Sequence, residues 1–278
     1  VQMSLAGTGI GAVLGLVGAS FANAYLNPHA WLRIPFKTII HLIRTIPALI
    51  LALLCTFLVG LGTLAGTLAL SIYTTVVMVR MGYEDMENAD LRAAQALEAA
   101  GCGRLRAFIR AVLPAVLAGY LINVLYMLEA NVRHAAILGY VGAGGIGILL
   151  NERLAWREYS EVGMILLLLY VVVLLTEGVS EWLRQVLSGR SHLSRMKKVL
   201  LLLTLAVLFF SSFQTLVLPD MDGKGMAAAA AIMQGILHPD WSMIFSLAHD
   251  GVPWLLYETF CIAFLGTLGG TVIAAWFS

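Results

Sequence analysis

Charge is what this sequence has least of. Only 12% of its 278 residues are Asp, Glu, Lys or Arg, against roughly 25% in a soluble domain. That scarcity excludes an ordinary soluble fold, and a net charge of +1 leaves no basic excess for gripping nucleic acid. Cysteine is scarce too. Cys55, Cys102 and Cys261 are scattered, with no CxxC and no Cys/His cluster, so neither a disulfide framework nor a zinc site is expected. His41 and His134 have no partner at metal-ligand spacing. There is no GxxxxGK followed by Ser or Thr, no HExxH and no GxSxG. ATP hydrolysis by a P-loop and the common membrane-protease and esterase chemistries are therefore not expected of this chain. Val1 opens directly inside an apolar run with no basic leader, and no cleavable signal peptide is expected.

What remains is apolar. The sequence is 60% hydrophobic, with a mean hydropathy of +0.89. A helix needs about 20 apolar residues to cross a hydrocarbon core of about 30 Å. Seven windows qualify: 3–23, 33–60, 63–79, 113–130, 162–183, 199–218 and 255–278. The first is rich in glycine, and Gly7, Gly11 and Gly15 give the spacing that lets helix backbones approach closely in lipid. Pro47 predicts a kink inside the second. A glycine-rich segment and a polar, aromatic-bearing loop fill 131–161, and a basic linker with Arg184, Arg190, Arg195, Lys197 and Lys198 follows the fifth span.

One stretch, 83–112, interrupts this pattern with polar sequence. From Met86 onward, Met86, Ala89, Ala93, Leu97 and Ala100 fall on one helical face. Glu84, Asp85, Glu87 and Asp90 crowd its expected N-terminus, where the helix dipole favours anions. Gly101 can supply the left-handed conformation that closes a helix, and a second helix with Arg104, Arg106 and Arg110 leads to Pro114. The expected product is a short exposed helix joined rigidly to a membrane helix. With this stretch placed inside, thirteen of the seventeen basic residues lie inside, and Arg133, Arg153, Arg157 and Lys224 lie outside. The positive-inside rule thus assigns the stretch to the cytoplasm.

Here the sequence resembles a family. Gln95, Ala96, Leu97, Gly101, Leu113 and Pro114 are spaced like the EAA loop of permease subunits in ATP-binding-cassette importers. Ala96, Gly101 and Pro114 match that motif. Its glutamate position holds Gln95 and its second alanine Leu97, while Glu98-Ala99-Ala100 is out of register. Further on, Glu129, Asn131 and Arg133 precede Gly142, Gly144, Gly145 and Gly147, an order similar to that of phosphonate-importer permeases. The same glycines satisfy GxGxxG, but with membrane helices on both flanks a dinucleotide site is rejected. They suit close packing and irregular backbone beside a cavity. Glu129 and Arg133, at i and i+4, can form an ion pair. That pair can be structural, or Arg133 can assist an oxyanion with Glu129 and Asn131 orienting it. Arg44 is a weaker candidate of the same kind, or a side chain snorkelling to the interface.

The resemblance implies an all-α polytopic bundle of the type I importer class, with about seven spans, in a bacterial cytoplasmic membrane. It implies a permease carrying phosphonate or a related phosphorus oxyanion and coupled through 84–114. Its partners would be separate ATPase subunits, which carry the ATP and Mg, an extracytoplasmic binding protein and a second permease unit, as a homodimer or a tandem copy. No cofactor is expected in the chain itself. Alternatives are an ion-gradient-driven secondary transporter and a permease for another small solute such as methionine. Finally, residues 1–19 align with 260–278 at an offset of 259, with Gly7-Thr8 on Gly266-Thr267, Gly11 on Gly270 and Val13 on Val272. The expected organisation is a first permease unit at 1–187 lacking its opening span, a linker at 188–198, and the start of a second unit at 199–278.

Overall fold

Glycine decides how the first helix packs. In a computed structural model, which describes residues 1–188 and 251–277 with positions 211, 234, 235 and 238, helix α1 (Gln2–Ala22) lies along α4 (Thr63–Glu87). A Cβ added at Gly7, Gly11 or Gly15 would come within 2.7 Å of Leu70, 2.5 Å of Thr74 or 2.6 Å of Met78, each time at that residue's own Cβ. The small-residue spacing therefore presses one backbone against its neighbour, as van der Waals packing between helices in lipid requires. Gly11→Leu is expected to lower stability by about 1–3 kcal/mol through overpacking. By contrast, a Cβ at Gly119 would meet nothing within 4 Å, so Gly119→Ala should be neutral or mildly stabilising. Thermal unfolding of the two variants in detergent checks the pair.

A third helix completes this core. Helix α7 (Leu113–Leu138) packs on α1 and α4. Tyr120 donates its hydroxyl to the Ala12 carbonyl at 2.6 Å. The fully buried Asn131 donates through Nδ2 to the hydroxyls of Thr8 (2.8 Å) and Thr74 (2.7 Å). Ser4 in turn donates to the Asn131 carbonyl at 3.1 Å. Polar groups buried this deeply are costly unless hydrogen-bonded, and here they fix the register of all three helices.

The segment 33–60 departs from its expected single kinked span. It forms two helices, α2 (Ala30–Arg44) and α3 (Ala48–Val59), bent by 93°. Proline biases the residue before it away from helical backbone, so the chain stops short of Pro47 and restarts from it as the N-cap of α3. Helix α2 is held to the end of α4. Lys37 reaches Glu87 at 2.9 Å and lies over the Tyr83 ring at 3.9 Å, and the Tyr83 hydroxyl meets His41 Nε2 at 3.2 Å.

Helix α4 is longer than its apolar run. It continues past Arg80 to Glu87, with Arg80 paired to Glu84 at 2.8 Å. The acidic residues Glu84, Asp85 and Glu87 therefore end one helix; they do not open the next, as the charge pattern predicts. After them come α5 (Arg92–Ala99), α6 (Arg104–Ala107), a π-helical turn (Phe108–Val112) that leads directly into α7, a 3-10 turn (Gly139–Val141), α8 (Ile146–Ala155) and α9 (Tyr159–Leu187).

Among the described residues, five helices are long and apolar enough to cross a membrane, or six if the bent pair counts as one span. The expected span 199–218 lies, except for Ser211, outside the described residues. The chain divides into two compact units, Val1–Gly225 and Met226–Ser278. The helices above belong to the first. In the second, α10 (Val252–Phe277) is an apolar helix with exposed side chains, and a Cβ at Gly266, Gly269 or Gly270 would meet nothing within 4 Å.

Candidate functional site

Helix α5 has eight residues, too few to persist in water without tertiary support. Support comes from one face, where Ala94 is buried and Leu91, Leu97 and Glu98 are half-buried. The apolar face expected from the sequence included Ala93 and Ala100, and both are exposed. The reason is phase. Asn88–Leu91 break the chain between α4 and α5, so the helical count restarts at Arg92. Gln95, Ala96 and Ala99 point outward and are exposed.

The helix ends in a doubly bonded cap. The Cys102 N–H donates to the Leu97 carbonyl and the Gly101 N–H to the Glu98 carbonyl, both at 2.9 Å. This closure requires a left-handed residue, and Gly101 has φ +86°. Gly103 then opens the next helix. From Arg104 to Leu138 the backbone stays helical, a rod about 50 Å long at the usual rise of about 1.5 Å per residue. Its one irregularity is the π-helical turn, where the Leu113 N–H reaches back five residues to the Phe108 carbonyl. Pro114 explains it: a proline ring crowds the carbonyl four residues before it and offers it no N–H. Widening the turn just ahead of Pro114 relieves that crowding without breaking the rod.

The second group sits further along the same rod. Glu129 holds Arg133 through Oε1 at 2.7 Å, the expected i, i+4 pair. Its other oxygen takes Arg184 of α9 at 3.3 Å. Arg184 also contacts Glu181 at 3.0 Å and lies over the Tyr126 ring at 4.1 Å. Arg184 and Glu129 are mostly buried, whereas the Arg133 side chain is 49% exposed. The sequence reading puts Arg184 in the cytoplasmic linker and Arg133 outside. One shared carboxylate places both at a single level, because α9 runs on through Arg184 to Leu187. Asn131 is two residues from Glu129, about 200° around the helix, and orients the Thr8–Thr74 junction instead of Arg133.

The glycine segment seats a loop. Gly142, Gly144 and Gly145 have φ of +78°, +84° and +82°. The Gly142 carbonyl accepts from the Gly62 N–H at 3.0 Å, and a Cβ at Gly144 would lie 2.8 Å from the Thr63 nitrogen. A Cβ at Gly147 would collide with the Ala136 carbonyl and Gly139. These glycines pin the loop at the end of α7 against the start of α4. No strand flanks them among the described residues, so the dinucleotide reading finds no support. Among the described residues no group of His, Cys, Asp and Glu could hold a metal ion.

Residues 11–193 match the family described as the binding-protein-dependent transport system inner membrane component. The chain belongs to that family. The match takes in α5, the rod and the Glu129 group. The phosphate-import permease protein PhnE of Mycolicibacterium smegmatis is 33% identical over 184 residues, covering 66% of this chain and 35% of that protein. The phosphite transport system permease protein PtxC of Stutzerimonas stutzeri is 34% identical over 185 residues, with coverage of 66% and 67%. The putative phosphite transport system permease protein HtxE, from the same organism, is 35% identical over 161 residues, with coverage of 58% and 62%. The chain thus spans about a third of the first relative's length and just under two thirds of HtxE. The inward-facing MetNI methionine ABC transporter gives a TM-score of 0.58 at 22% identity, covering 66% of this chain and 91% of that one. At that identity the likeness concerns the fold, which is that of a type I importer permease.

Within this inner-membrane permease component, two residues that motif reading missed stand beside the candidates. Arg184 has no sequence signal because its partner is 55 residues away. Tyr25, in the link between α1 and α2, donates its hydroxyl to Glu98 at 2.7 Å and touches both sides of the Gly101–Gly103 break.

Proposed function

We propose that this chain is a permease of an ATP-driven importer for phosphonate or a related phosphorus oxyanion. The observation that carries the reading is α5: a capped eight-residue helix with an exposed Gln95–Ala96 face, joined through two glycines to an unbroken rod. Separate ATPase subunits, holding ATP and Mg, grip that face. Their closure moves α5, and the rod carries the motion to the transport pathway. An extracytoplasmic binding protein delivers the anion, and a second permease unit completes the pathway. That unit comes from a homodimer or from the tandem copy that begins in 199–278.

The cargo assignment is supported by the relatives, whose names specify phosphate import and phosphite transport. It is also supported by Arg133. A half-exposed guanidinium within a helix apolar enough to cross a membrane belongs beside water or the bundle interior, not lipid. Arg133 meets the anion on this reading, Glu129 holds it in place, and Gly142, Gly144, Gly145 and Gly147 shape the pathway's far end.

The test is uptake in cells that carry the chain with its co-purifying partners, offered phosphonate, phosphite and phosphate in turn. Uptake of at least one anion should survive a protonophore and stop when cellular ATP is removed. Uptake that collapses with the proton gradient while ATP is intact would instead make this a secondary transporter.

A further inference from the structure

The break between α5 and the rod is loosely built in itself. A Cβ at Gly101 or Gly103 would meet nothing within 4 Å, so no neighbour is pressed against either glycine. A push applied to α5 could therefore be absorbed by bending at Gly101–Gly103 before it reached α7. One side chain from elsewhere spans that break. The Tyr25 hydroxyl donates to Glu98 Oε1, on the α5 side, at 2.7 Å. On the other side, the Arg104 guanidinium lies over the Tyr25 ring at 5.0 Å, and the ring stacks on Phe108 with centroids 6.4 Å apart.

Tyr25 is itself well anchored. The fully buried Asn23 accepts through Oδ1 from the Tyr25 N–H at 2.8 Å and the Leu26 N–H at 3.2 Å. The Ala24 N–H donates to Glu87 Oε1 at 3.2 Å, the oxygen that also takes Lys37. The link between α1 and α2 is thus tied to the end of α4. Burial, then the bond to Glu98, push the Tyr25 phenol up to about 12, so it remains a donor at neutral pH.

We infer that Tyr25 is the positioning residue that sets the angle between the docking helix and the rod, by clamping Glu98 on one side of the glycine break and Arg104 with Phe108 on the other. This rests on the reading of α5 as the ATPase contact. Tyr25 touches neither ATPase nor cargo on this account; it makes the lever stiff.

The experiment is transport by the assembled importer in proteoliposomes, scored as anions moved per ATP hydrolysed, alongside the ATPase subunits retained on purification. Tyr25→Ala is expected to lower the ratio about tenfold, the factor that corresponds to losing a hydrogen bond to a charged acceptor, with ATPase retention unchanged. Tyr25→Phe keeps the ring contacts and loses the bond to Glu98, and should fall between. Glu98→Gln keeps an acceptor but loses its charge, and should fall between Tyr25→Phe and the unaltered chain. Cys102, half-buried inside the break, supplies an independent readout: its maleimide labelling should be faster in Tyr25→Ala and Tyr25→Phe. A ratio and labelling rate unchanged in Tyr25→Ala overturn the clamp. If Tyr25→Ala does not accumulate, the same result in Tyr25→Phe overturns it. If the unaltered chain retains no ATPase subunits, the docking reading itself fails, which is a different outcome.

Discussion

Gly101→Val is expected to abolish uptake while the chain still inserts in the membrane. The reason is backbone conformation and not crowding. Gly101 has φ +86° and open space where a side chain would go, so a substituent would strike nothing. A non-glycine residue held in an unfavourable φ region costs of order 1–3 kcal/mol, and a β-branched one stands at the unfavourable end. Each 1.4 kcal/mol or so is a factor of ten in an equilibrium. Helix α5 has only eight residues to set against that cost. The double cap onto Leu97 and Glu98 should open, and the exposed Gln95–Ala96 face should lose its fixed orientation. Gly101→Asn makes the contrast, because asparagine tolerates the left-handed region, and should retain most of the uptake. The pair is read by transport assay with membrane insertion confirmed for each. Full uptake in correctly inserted Gly101→Val would remove α5 from the coupling path.

Glu129→Ala should destabilise the protein more than Arg133→Ala does. It leaves Arg184, whose side chain is only 10% exposed, without the carboxylate on its far side. Arg184 keeps Glu181 at 3.0 Å, so the cost is that of losing charged hydrogen bonds, about 1.5–3 kcal/mol. Arg133→Ala removes an i, i+4 pair whose cation is 49% exposed, an interaction of about 0.5 kcal/mol, and leaves Glu129 still held by Arg184. Arg133→Ala should therefore melt close to the unaltered protein and yet lose most anion uptake. Thermal unfolding in detergent and uptake by the same preparations separate the two effects. If Arg133→Ala, Glu129→Ala and the double variant all lose uptake only in proportion to stability, Arg133 is a structural residue.

What could be read from the sequence was what depends on neighbours along the chain. The spacing of Gly7, Gly11 and Gly15 announced a backbone-to-backbone contact, though not that α4 would supply the other side. Gly101 was legible as a helix terminator because a single residue's φ decides it. Three features were not legible, for different reasons. The acidic residues around Glu84 look like the start of a helix, but the apolar contacts of Tyr83 and Met86 carry α4 through them. The apolar face of α5 was mis-phased because the break at Asn88–Leu91 resets the helical count. Arg184 and Tyr25 acquire their partners only through tertiary folding, from residues 55 and 73 positions away. No local pattern marks such pairs. The near-right-angle bend between α2 and α3 was half visible: Pro47 fixed where the chain would turn, while the ties of Lys37 and His41 to the end of α4 fixed how far.

On the coupling role proposed above, a pivot at the π-helical turn would make the rod a lever. The turn lies close to one end, with the four residues of α6 before it and the twenty-six of α7 after it. At about 1.5 Å per residue the two arms are roughly 6 Å and 39 Å, a ratio of about one to six. A rod turning as one body about that point would convert a displacement of about 1 Å at Arg104 into about 6 Å at Leu138. The geometry favours reach over force: a small stroke at the short arm sweeps the far end widely, and the load there is felt at the short arm multiplied by the same factor.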